Sequence, residues 1–113
     1  MDQFLLQKPL TAHAEYKKVA CHIVYGDVVI SALPSSHFSF RSEAVWPAES
    51  CEHSVRKGIL DALASAGLDS QFAAEFVLTE IRWHEIDSCE SGYYNAAKLA
   101  TAEILDNAGI ARV

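Results

Sequence analysis

An imidazole, three carboxylates, a hydroxyl and a thiol fall within one short stretch, His84-Glu85-Ile86-Asp87-Ser88-Cys89-Glu90. Such a set is the raw material of a general acid/base site. The competing reading is structural. Trp83 to Leu105 has the pattern of a strand handing over to a helix, and Asp87 with Glu90 three residues on has the spacing of a capping box. In that motif the Asp side chain accepts from first-turn amides while the Glu reaches back to the cap amide. Capping accounts for both acids, so the cluster is read as a capped helix start with exposed neighbours.

Cys51 and Cys89 both fall in the first turn of an expected helix, where the macrodipole and free amides lower a thiol pKa. A parallel crossover between the strands that precede the helices would put both starts at one end of the sheet and make the thiols neighbours. That constellation supports a thiol enzyme or redox protein using Cys51 or Cys89 with His84 or His53. Against it stand the absence of any Cys-x-x-Cys and the ordinary use of free cysteine as a small core hydrophobe. His13, His22, His37, His53 and His84 show no paired spacing such as His-x-x-x-His, so no metal centre is assigned and no cofactor is implied. Trp83, Tyr93 and Tyr94 offer surfaces on which bases could stack, yet no basic stripe surrounds them, and they are read as core and rim aromatics.

The elements that must position these residues belong to a chain of 113 residues, of which 50% are hydrophobic and 21% charged. That length supports one domain burying about two thirds of its unfolded surface, and the composition argues against disorder. A net charge of -6 disfavours binding to free nucleic acid, which rests on neutralising phosphates with Lys and Arg. Three cysteines without paired spacing fit no disulfide framework and point to a reducing cytoplasm. Phe4-Leu5-Leu6 is too short for a signal-peptide core, and no apolar window is long enough to span a membrane.

Residues 1–12 read as a lead-in closed near Pro9. Ala14 to Tyr25 leans toward a first strand, with Val19 to Tyr25 keeping a period of two, Val28 to Leu33 is a β-branched run, and Gly26-Asp27 between them suits a type II′ hairpin turn. Pro34-Ser35-Ser36 is a second turn, and Phe38 to Ala44 alternates as a third strand, so three strands are expected in a meander. The period then becomes helical. Val55, Ile59, Ala62, Leu63 and Ala66 share a face of a helix over 50–66, capped by Ser50 and terminated by Gly67. A fourth strand over 76–86 and a second helix over 88–107 complete the order β-β-β-α-β-α. Two helices with single apolar stripes must both cover one sheet face. The expected fold is a two-layer α/β sandwich with its other sheet face open as a binding surface.

His84-Glu85-Ile86-Asp87-Ser88-Cys89-Glu90, followed by the Ala96-Ala97 and Ala100 helix, is similar to the end of domain IV of translation elongation factor G. There a His-x-Val-Asp-Ser-Ser-Glu segment leads into an alanine-rich helix. Ala14-Glu15-Tyr16-Lys17-Lys18-Val19 resembles that family's first strand. Ser54 to Gly67 resembles its first helix, and the likeness covers about residues 14–105. The resemblance implies the ribosomal protein S-five domain-two-like fold, a four-stranded mixed sheet with both helices on one face and a left-handed crossover, here spanning 13–107. It also implies ribosome association. Departures accompany the matches: Thr11-Ala12-His13 replaces a glycine-rich approach, and Val45-Trp46-Pro47-Ala48 replaces the family's loop before the first helix. The tip loops that would enter the decoding region are not recognisable, and no Gly-x-x-x-x-Gly-Lys-Ser/Thr loop is present, which excludes a GTPase.

The function expected is therefore a non-enzymatic binding or accessory module in the cytoplasm, partnered by a protein or by a second copy through the open sheet face. Its candidate binding end comprises Ser50, Cys51, His53, His84, Glu85, Asp87, Ser88 and Cys89.

Overall fold

The computed structural model describes residues 4–19, 23–47, 49–68 and 71–109. Its elements are β1 (Phe4–Leu5), β2 (Leu10–Val19), β3 (Ile23–Pro34), β4 (Ser39–Ser42), α1 (Glu52–Ser65), β5 (Phe72–Arg82) and α2 (Glu90–Asn107). Apart from the two-residue β1, the order is the expected β-β-β-α-β-α. The sheet is mixed: β2 and β3 are antiparallel, β3 and β5 are antiparallel, and β4 and β1 both run parallel to β5 along its other edge.

Strand alternation decides which face is buried. Ala12, Val28, Ile30, Ala32, Phe72, Ala74, Phe76 and Leu78 join one core with Val55, Ile59 and Leu63 of α1 and Tyr93, Ala96, Ala97, Ala100, Ile104 and Leu105 of α2. Both helices therefore cover the same sheet face, giving the two-layer sandwich. Ile104 and Leu105 are fully buried, and each such side chain contributes about 1.5–3 kcal/mol by leaving water. The alanines of α2 allow a close crossing. A Cβ placed on Gly58 of α1 would lie 2.4 Å from the Tyr94 carbonyl oxygen and 2.9 Å from the Ala97 Cβ. Leu99 of α2 is 51% exposed, whereas Thr101 is buried.

The end of α1 follows the expected pattern. Gly67 adopts φ +78°, the Leu68 amide donates to the Leu63 carbonyl at 2.9 Å, and the Gly67 amide donates to Ala64 at the same distance. This is a Schellman closure, with Leu68 and Leu63 buried together beneath it.

Several boundaries differ from expectation. Gly26-Asp27 is not a turn: both residues lie inside β3, where Gly26 pairs with Tyr16 and Asp27 with Glu15. The β2–β3 connection falls at residues 20–22, which lie outside the described residues, as does His22. A Cβ on Gly26 would lie 2.3 Å from the Gly92 carbonyl carbon, so the glycine serves a close approach of strand and helix rather than a reversal. The third strand is shorter than expected and does not continue a meander. The α1 crossover brings β5 in beside β3, and β4 pairs with β5 alone. The fourth strand starts at Phe72 and stops at Arg82, displaced toward the N-terminus from 76–86. The lead-in is part of the sheet, contributing β1 and the first residues of β2.

Candidate functional site

The parallel pairing of β4 with β5 puts the starts of both helices at one end of the sheet. Cys51 and Cys89 are the N-cap residues of α1 and α2, and neither cap carries a side-chain hydrogen bond. The capping box is thus not formed. Asp87 lies two residues before the cap, and its carbonyl is engaged elsewhere, accepting from the Tyr25 amide at 3.0 Å. The Cys89 amide in turn donates to the Tyr25 carbonyl at 3.4 Å. The start of α2 is therefore tied to β3 through backbone, where the sequence pattern suggested a local side-chain cap. Ser50 also lies one residue outside the cap, although its Oγ accepts from the first helical amide, Glu52, at 3.1 Å.

The structure brings Ser50, Cys51, Ser88 and Cys89 together around a hollow of about 410 Å3, completed by Glu49, Trp83 and Glu90. His53 and His84 do not line it. His84 sits edge-on to the Tyr25 ring with centroids 4.3 Å apart, and its amide donates to Ser88 Oγ at 2.8 Å. His53 and Glu85 are exposed. Burial pushes the Cys51 thiol pKa up, and the neighbouring Glu90, Cys89 and Glu49 add to the effect. Cap-position activation, expected from the helix dipole, is outweighed here by desolvation and by neighbouring acids. Among the described residues no imidazole lines the hollow beside Cys51, and its thiolate is disfavoured.

Aromatic packing closes the floor of this end. Tyr93 is stacked on Trp83 with centroids 5.9 Å apart and meets Trp46 edge-on at 5.0 Å. The Tyr93 hydroxyl donates to the Arg82 carbonyl and sits 3.3 Å from Ser88 Oγ. These rings are core and rim aromatics rather than free stacking platforms. Tyr94 bridges the helices, its hydroxyl donating to Asp61.

A second cluster lies on the uncovered sheet face. Asp27 is 2% exposed although no helix covers it. His13 Nε2 donates to Asp27 Oδ1 at 2.8 Å, and the Tyr25 hydroxyl lies 3.5 Å from both Asp27 and Glu15. Burial, then Asp27 and Glu15, push the Tyr25 phenol pKa to about 12, because a phenolate here would be desolvated among carboxylates. A hollow of about 290 Å3 beside the pair is lined by His13, Asp27, Val29, Glu80, Ile81 and Arg82. Farther along the face, Thr11 and Ser31 hydroxyls meet at 2.9 Å and Arg41 reaches Glu75 at 3.3 Å.

Reading Gly26-Asp27 as a turn hid this cluster. Once β3 is continuous, a period of two puts Tyr25, Asp27 and Ser31 on the face shared by Thr11, His13 and Glu15 on β2. Among the described residues no group of three or more His, Cys, Asp or Glu side chains is arranged to hold a metal ion. No helix among them is long and apolar enough to cross a membrane.

Among solved structures, the chain is similar to part of a Thermus thermophilus protein known from a crystal structure, with a TM-score of 0.81 and 24% identity over 91% of the chain. The similar segment is 16% of that protein's length, so the fold corresponds to a small part of a larger chain. No family model and no curated protein matches the sequence.

Proposed function

We propose that this domain is a non-enzymatic binding module of the elongation factor G domain IV kind, acting in the cytoplasm on a protein surface of the ribosome. The observation that carries the reading is the uncovered sheet face, where polar side chains converge on a buried Asp27 beside a hollow open to solvent. A carboxylate is retained in such a place at a desolvation cost, and surface recognition is a use for it. Three features support the family part. The His84-to-Glu90 segment precedes an alanine-rich helix, the element order is that of the family domain, and the same fold forms a minor part of a much longer bacterial protein. Elongation factor G domain IV is likewise one domain of several. The net charge of -6 favours a protein partner over bare RNA.

The test is cosedimentation of the purified chain with ribosomes through a sucrose cushion. Wild type is expected to pellet with ribosomes. Arg82→Glu, which alters the open face, should abolish pelleting, while Glu103→Lys on the exposed surface of α2 should not. Wild type left in the supernatant, or loss caused equally by both variants, overturns the reading.

A further inference from the structure

β2 ends the sheet. All ten of its residues pair with β3 in unbroken register, and among the described residues no strand pairs with its outer edge. The stretch Leu10–Val19 contains no proline and no bulge, the devices that commonly blunt such an edge. Glu15, Lys17 and Lys18 are also without an ion-pair partner among the described residues. Glu15 lies opposite another carboxylate, Asp27, and the one hydrogen bond it makes there is from the Tyr25 hydroxyl at 3.5 Å. Lys17 and Lys18 are exposed, and neither takes part in an ion pair with a described residue.

We propose that β2 pairs antiparallel with β2 of a second copy, about a two-fold axis passing beside Tyr16. In that register Glu15 of each copy faces Lys17 of the other, Ala14 faces Lys18, and His13 faces Val19. Residues directly opposite in antiparallel strands share a sheet face. Both Glu15–Lys17 pairs therefore lie on the open face, and the two half-buried Tyr16 rings meet on the helix side. The neighbouring register centred on Glu15 sets like charges against each other. The one centred on Ala14 leaves Lys17 opposite a threonine. The Ala14 register also sets Glu15 against His13, which is already bonded to Asp27, so only the Tyr16 register gives Glu15 a lysine. An axis perpendicular to the sheet keeps both helix layers on one side, so dimerisation joins the two open faces into one continuous surface. The proposal stands on the β2 edge alone and does not depend on ribosome binding, which the pelleting assay reads separately.

Sedimentation equilibrium over a concentration series into the high micromolar range tests it. Wild type should show a reversible monomer–dimer equilibrium. Lys17→Glu and Glu15→Lys should each weaken association about 10-fold or more, since two attractive pairs become two repulsive ones. The double variant Glu15→Lys with Lys17→Glu should restore it. Circular dichroism melts confirm that each variant is folded. A monomer throughout the series, a dimer indifferent to Lys17→Glu, or a double variant no better than the singles would each overturn the proposal.

Discussion

Replacing Gly92 with alanine tests whether the start of α2 is held by its contact with β3. A Cβ at this position would lie 2.0 Å from the Tyr25 carbonyl oxygen, 2.3 Å from its carbon and 2.8 Å from the Gly26 amide nitrogen. All three are backbone atoms, so no rotamer change relieves the clash. Ordinary contact begins near 3.4 Å, and the helix must withdraw by more than 1 Å. Withdrawal stretches the Cys89 amide bond to Tyr25, already 3.4 Å, and pulls on the Tyr25 amide bond to Asp87. Overpacking of this kind costs about 1–3 kcal/mol, and each weakened hydrogen bond adds about 1 kcal/mol. The better helix propensity of alanine returns at most about 1 kcal/mol. A net loss of about 2–4 kcal/mol follows, equivalent to a melting temperature lower by about 10 °C or more for a domain of this size. Urea unfolding followed by far-ultraviolet circular dichroism measures it, with Ser91→Ala, on an exposed neighbour, expected to change stability by less than about 0.5 kcal/mol. A Gly92→Ala protein as stable as wild type would refute the argument that strand and helix meet here through bare backbone.

Thr101 is fully buried and its hydroxyl lacks a partner among the described residues, so Thr101→Val should leave stability unchanged or raise it by about 1–2 kcal/mol in the same urea assay. Tyr25 should ionise near pH 12, read in an ultraviolet titration as the difference from Tyr25→Phe. Its folded pKa lies above the ordinary value of 10, so the folded state holds that proton longer than the unfolded state. Its contribution to stability is complete below pH 10 and is lost as pH rises toward 12, a decline that Tyr25→Phe should reduce. Alkylation with iodoacetamide, read by peptide mass spectrometry, should modify Cys51 more slowly than Cys89, because Cys51 is buried and its thiol pKa is raised.

The parts of the fold that were legible in sequence are those written in local periodicity and termination. Val55, Ile59, Ala62 and Leu63 mark the buried face of α1, and Gly67 marks its end, because a 3.6-residue repeat and a left-handed closing glycine need no information from elsewhere in the chain. What could not be read depended on distant partners. Gly26-Asp27 has the composition of a hairpin turn, but Gly92, far along the chain, requires a glycine at position 26 inside a strand. Asp87 and Glu90 have capping-box spacing, yet the helix is capped two residues later at Cys89, and the Asp87 carbonyl and Cys89 amide bond the backbone of Tyr25. The same long-range contact decides the candidate sites. Cys51 and Cys89 meet as the parallel crossover predicts, whereas the histidines expected beside them are held elsewhere, and the His13–Asp27 pair becomes visible only when β3 is continuous.

The position of β5 bears on how the domain can form during synthesis. β1, β3 and β4 all pair with β5, the last strand in order among the described residues. Until residue 82 has left the ribosomal tunnel, only the β2–β3 pair can assemble. β4 and α1 then have no strand to lie along, and one edge of β3 stays open. A two-stranded ribbon is marginal in water, so chains cut short before Phe72 have no smaller stable fold to fall back on and should be substrates for chaperones or proteolysis. The sheet therefore forms only once β5 is available to its partners.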